Sequence, residues 1–146
     1  IAGFGLASKI TVSRMDENFE HVSALKKYFT EKLSATDVAH CVISPDNGSP
    51  YILNIAFEAV KAEVLLHHLE QEGIFVSTGS ACSSRKNIRS HVLAAMGVPN
   101  ELIDGAIRFS FSAFNTFNDI DYTVESIEKI IPVIDIRRKH RTGRRK

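Results

Sequence analysis

Ala106-Ile107-Arg108-Phe109-Ser110-Phe111 alternates residue by residue. Side chains of an extended strand point to opposite faces in turn, so Ile107, Phe109 and Phe111 share one side and Arg108 and Ser110 the other. Such a strand has one face for a core and one for something polar. Downstream, Thr116-Phe117-Asn118-Asp119 has the spacing of a helix N-cap with an acidic partner in the first turn. The helix it opens carries Ile120, Val124, Ile127, Ile130, Ile131 and Ile134, and Pro132 is expected to kink it by removing a backbone donor.

Upstream, the pattern predicts a strand at Ile74-Phe75-Val76 and a short helix from Arg89 to Met96, ended by Gly97 with Pro99 beyond it. Ala62 to Glu72 reads as a helix with Val64, Leu65, Leu66 and Leu69 inward, stopped by Gly73. Ala39 to Ser44 and Tyr51 to Phe57 are strand-like, and the turn formers Pro45 to Pro50 between them allow a hairpin. From Asp16 to Leu33 the apolar positions Phe19, Val22, Leu25, Phe29 and Leu33 mark an amphipathic helix. The resulting order predicts an α/β fold, a small mixed or antiparallel sheet covered by helices.

The bulk properties narrow the class. A chain of 146 residues with 44% apolar and 24% charged residues is sized for one soluble domain with a core of its own. No apolar run reaches the roughly 20 residues that cross a bilayer, and no signal peptide is visible. Two cysteines give no disulfide framework, which favours a cytoplasmic setting, and no paired C-x-x-C spacing supports zinc. His67 and His68 are neighbours, about 100° apart on a helix, and no metal is expected. The chain carries no G-x-G-x-x-G or P-loop pattern for phosphate. Arg137 to Lys146 holds seven Lys/Arg residues and one His, so the small net charge of +1 hides an acidic domain with a basic tail. The expected division is a domain over 1–136 and a disordered, solvated tail over 137–146, with RNA contact by the tail as the less favoured alternative. The start, Ile1-Ala2-Gly3-Phe4-Gly5-Leu6-Ala7, is apolar and lacks methionine, and is read as a cut from a longer chain.

Three side chains stand out chemically. Cys82 lies in Gly79-Ser80-Ala81-Cys82-Ser83-Ser84-Arg85-Lys86-Asn87, among small and hydroxyl-bearing residues with two cations nearby. Cations lower a thiol's pKa, so this is either a functional thiolate or an ordinary loop cysteine. Cys41, within Ala39-His40-Cys41-Val42-Ile43, is expected to be a small buried hydrophobe. Arg108 can fork two donors onto a carboxylate; the plainer reading is a solvent-facing arginine on an edge strand. His91 could serve the thiol as a base, although a surface or capping role is the commoner one.

Taken together, Val76-Ser77-Thr78-Gly79-Ser80-Ala81-Cys82-Ser83-Ser84, Ser90-His91-Val92-Leu93, Gly105-Ala106-Ile107-Arg108-Phe109-Ser110-Phe111 and Asn115-Thr116 resemble the C-terminal part of cysteine desulfurases, within the class V aminotransferase superfamily. The resemblance runs from Ile1 to about Ile136. It implies the small C-terminal domain of a fold type I pyridoxal-phosphate enzyme. By the same resemblance Cys82 is the nucleophile that takes sulfur from L-cysteine, leaving L-alanine and an enzyme persulfide, and Arg108 holds the substrate carboxylate. The expected partners are L-cysteine, a sulfur-acceptor protein serving iron–sulfur assembly or tRNA thiolation, and a second copy of the full-length protein. The family's Schiff-base lysine follows a Ser-x-His motif that this sequence does not contain, so the piece alone is expected to be inactive. Selenocysteine lyase, another class V relative, and a stand-alone persulfide carrier or thiol binding module are the alternatives.

Overall fold

The alternating stretch becomes an interior strand of a four-stranded sheet. The computed structural model describes residues 1–79 and 90–135. In chain order they form helices α1 (Ala2–Ser13) and α2 (Met15–Ser34), strands β1 (His40–Val42) and β2 (Ile52–Phe57), helix α3 (Ala62–Gln71), strand β3 (Ser77–Thr78), helices α4 (His91–Ala95) and α5 (Asn100–Asp104), strand β4 (Ala106–Ser110) and helix α6 (Phe117–Ile134). The sheet order is β1-β2-β4-β3 with every neighbouring pair antiparallel. This is the α/β arrangement expected, in its antiparallel form.

The predicted hairpin forms, pairing Cys41 with Ala56 and Val42 with Ile55. The third strand differs from expectation. Helix α3 ends in a Schellman motif: Gly73, at φ +74°, donates to Glu70 O, and Ile74 N–H donates back to Leu69 O at 2.9 Å. That bond engages Ile74 in the helix cap, Phe75 turns out to solvent, and pairing starts only at Ser77. Helix α5 was not anticipated either; Pro99, two residues past Gly97, serves as its N-cap.

The two faces of the sheet are unlike. On one, Leu53, Ile55, Phe57, Ile107, Phe109 and Phe111 meet the apolar stripes of α2, α3 and α6. Phe29 of α2 packs on Phe109 with ring centroids 4.9 Å apart. Each such fully buried side chain contributes roughly 1.5–3 kcal/mol, so this face holds the fold together. On the other face a smaller cluster, Ala56, Leu93, Ile103 and Ala106, places α4 and α5 over one end of the strands only.

Burial on α2 begins at Val22, and Phe19 is exposed although its spacing matches the stripe. Helix α1 buries no side chain at all. At the other end, α6 opens with the expected capping box, in which Thr116 N–H donates to Asp119 Oδ2 at 2.8 Å and Asp119 N–H to Thr116 Oγ1 at 3.3 Å. It runs through Pro132 and stops two residues later at Ile134. No described helix is long and apolar enough to cross a membrane.

Candidate active site

Alternation along β4 puts Arg108 on the partly covered face, where it is exposed while Ile107 and Phe109 on either side are buried. Strand β4 has β2 on one flank and β3 on the other, so Arg108 does not sit on an edge strand. Its cross-strand neighbours are Asn54 of β2 and Ser77 of β3. Phe57 N–H donates to Gly105 O and Phe111 N–H donates to Tyr51 O, which fixes the hydrogen-bonded pairs of the β2–β4 ladder. These alternate with narrow, non-bonded pairs, and Asn54–Arg108 is one of the narrow ones, where Cα atoms approach to roughly 4.5 Å and side chains lie closest. Arg108 makes no salt bridge and no side-chain hydrogen bond among the described residues.

Asn54 was not singled out from sequence, although an asparagine inside Tyr51-Ile52-Leu53-Asn54-Ile55-Ala56-Phe57 runs against strand preference. Its backbone is held on both sides. Its N–H donates to Ser44 Oγ at 2.8 Å, and its carbonyl accepts from Ile43 N at 2.8 Å and Ser44 N at 3.3 Å. The side-chain Oδ1 is buried and has no hydrogen-bond partner among the described residues.

Cys82, with Arg85 and Lys86, lies outside the described residues, as does the basic tail. The stems on either side are described, and they touch. A Cβ on Gly79 would stand 2.8 Å from the Cβ of Ser90, so the chain departs and returns through adjacent points. Ser90 is then locked as the N-cap of α4, its Oγ accepting from Leu93 N–H. In sequence Cys82 follows Ser77, the β3 partner of Arg108, by five residues.

Cys41 departs from its expected burial. It is exposed, because β1 is an edge strand and α4 and α5 cover Ala56 and Ala106 without reaching across it. His91 is the first residue of α4 and is exposed. His67 pairs with Glu70 at 3.1 Å on an exposed face, and no group of metal ligands occurs among the described residues.

Residues 1–123 match the family described as aminotransferase class-V. The chain belongs to the class-V aminotransferases. Within that family it is similar to a protein named cysteine desulfurase IscS from Dictyoglomus turgidum, 39% identical over 90% of this chain and 34% of the relative. It is also similar to one named cysteine desulfurase NifS from Azotobacter vinelandii, at 35% identity over 90% of this chain and 33% of the relative. A solved NifS-like protein from Rickettsia africae superposes with a TM-score of 0.76 at 30% identity, covering 90% of this chain and 34% of that one. The chain thus spans about a third of the length of the class-V relatives it matches.

The class-V family implies pyridoxal phosphate as the cofactor of the whole enzyme, and such a cofactor needs an amine to carry it. The lysines of the described residues stand on α1 (Lys9), α2 (Lys26, Lys27, Lys32), at the start of α3 (Lys61) and on α6 (Lys129). None stands on the strands beside Arg108, and α2, α3 and α6 pack against the opposite face. An amine for the cofactor is therefore not provided there, and the described residues do not fit a pyridoxal-phosphate site.

Proposed function

We propose that this chain supplies the thiol and the carboxylate clamp of a cysteine desulfurase, with Cys82 as the nucleophile and Arg108 as the group that holds the α-carboxylate of L-cysteine. The observation that carries the reading is the placement of Arg108. It stands on an interior strand and opens to the face that the long helices leave free, next to the strand that leads into the Cys82 segment. A guanidinium presents two parallel donors to a carboxylate, a geometry a lysine does not reproduce. The relatives named as cysteine desulfurases support the same assignment.

In this reading the Cys82 thiolate attacks the sulfur of cysteine. The carbon–sulfur bond of the substrate breaks, a sulfur–sulfur bond forms on the enzyme, and the released carbon takes a proton to become alanine. The clamp keeps the substrate oriented toward the thiol. Pyridoxal phosphate is proposed to be held by parts of the complete enzyme that the described residues do not include. A sulfur-accepting protein, a homodimeric full-length enzyme and a cytoplasmic setting complete the proposal.

The test is sulfide release from L-cysteine, with pyridoxal phosphate and a reductant, for this chain, for the upstream-extended protein, and for the extended protein with Cys82→Ser. Activity is expected in the extended protein alone, with the serine variant reduced by at least two orders of magnitude, in keeping with loss of an essential nucleophile. Full activity of Cys82→Ser contradicts the reading.

A further inference from the structure

Among the described residues, a buried oxygen without a partner lies opposite an arginine with donors to spare. Asn54 and Arg108 form a narrow cross-strand pair, and Asn54 Oδ1 is the buried side-chain polar atom left unsatisfied among the described residues. An unmet buried acceptor leaves its full desolvation penalty uncompensated, whereas an apolar side chain of the same shape in its place costs little. Retaining asparagine inside an otherwise apolar strand is therefore expensive for the fold taken by itself. A guanidinium has five donors and no acceptor, and an amide oxygen has two lone pairs, so the two groups are chemically matched. Gripping a carboxylate occupies only one edge of the guanidinium fork.

We propose that Asn54 is a positioning residue for the Arg108 clamp: when Arg108 holds a carboxylate, Asn54 Oδ1 accepts a hydrogen bond from the same guanidinium and fixes the plane of its fork. The inference rests on the reading of Arg108 as the clamp, and adds the residue that aims it. The backbone of Asn54 suits this role. Ser44 and Ile43 tie both its N–H and its carbonyl, so the amide stands on an anchored point of the sheet.

The test compares Asn54→Leu, Asn54→Ala and Arg108→Ala in the upstream-extended protein. Three quantities are read: the melting temperature, KM and kcat for L-cysteine, and the ratio of inhibition constants for L-alanine and L-alaninamide. The last pair differ only in the carboxylate. Asn54→Leu nearly matches asparagine in shape and removes the orphan oxygen, so it is expected to melt at or above the wild-type temperature. It is also expected to raise KM roughly tenfold with kcat within about twofold, and to lower the preference for alanine over alaninamide by a similar factor, the size of one hydrogen bond to a charged group. Asn54→Ala, which cannot overpack the strand, is expected to show the same selectivity loss, and it decides the matter if the leucine variant does not fold. Arg108→Ala is expected to abolish the preference altogether. If either foldable Asn54 variant keeps wild-type selectivity and KM while Arg108→Ala loses them, the role of Asn54 is refuted and the clamp stands. If Arg108→Ala keeps the preference for the carboxylate, the clamp reading fails and this inference with it.

Discussion

At the scale of single residues, Gly105 sets the frame on which Arg108 is displayed. It ends α5 and immediately precedes β4, and its carbonyl accepts the Phe57 N–H that closes the ladder between β2 and β4. A Cβ at this position would collide with the Phe57 carbonyl oxygen and lie 3.0 Å from that of Val60. Both are backbone atoms and cannot swing aside. The requirement is space, since Gly105 has φ −104°, open to any residue. Gly105→Ala is expected to destabilise the fold by about 2–4 kcal/mol, read as a lower urea midpoint, because relief requires β4 to move away from β2. An unchanged midpoint would show that the strands tolerate the separation, and the narrow Asn54–Arg108 pair would lose its structural basis.

At the scale of elements, the seam between α2 and α6 combines apolar packing with one polar cluster. Tyr28 OH donates to Asp121 Oδ1 at 2.9 Å and Lys32 Nζ reaches the same oxygen at 2.8 Å. The Lys32 ammonium and the Tyr28 hydroxyl hold the Asp121 carboxyl below its ordinary value of 3.8, while Asp121 and then Tyr28 push Lys32 up to about 12. A carboxyl with a lowered folded pKa stabilises fully above its unfolded value and loses that contribution as pH falls through the folded one. A raised lysine contributes fully below its unfolded value and loses it as pH rises through the folded one. The seam is thus at full strength between about pH 4 and pH 10, given ordinary values of 3.8 and 10.5. Asp121→Asn is expected to lower the melting temperature modestly at neutral pH, as suits a solvent-screened pair. The gap should close in thermal melts taken well below pH 3.8; a gap of equal size there would contradict the assignment. Much at this scale was legible in advance. The Thr116 capping box and the glycines after α3 and α4 are local signals, written within four residues of the ends they set. The displaced β3 and the unanticipated α5 were not legible, because each depends on how a neighbouring helix disposes of its last or first backbone groups.

At the scale of the whole molecule, the described residues form one sheet, with one face closed by the long helices and the other left partly open by them. The closed face followed from periodicity alone: Ile107, Phe109 and Phe111 alternate, and the stripes of α2, α3 and α6 answer them. The open face was only half readable. Arg108 was marked by interrupting an apolar strand, but its interior position and its pairing with Asn54 are long-range facts of strand order and register. Cys41 was misjudged for the same reason, since an apolar stretch does not reveal that its strand is an uncovered edge. That exposure now makes Cys41 a useful internal comparison for Cys82. The most direct test of the central claim is to incubate the upstream-extended protein with pyridoxal phosphate and L-cysteine, trap its thiols by alkylation, and map added sulfur by peptide mass spectrometry. The account predicts one extra sulfur atom on the Cys82 peptide and none on the Cys41 peptide, with alanine formed in step. Alanine production without sulfur on Cys82, or with sulfur on Cys41 instead, would contradict it.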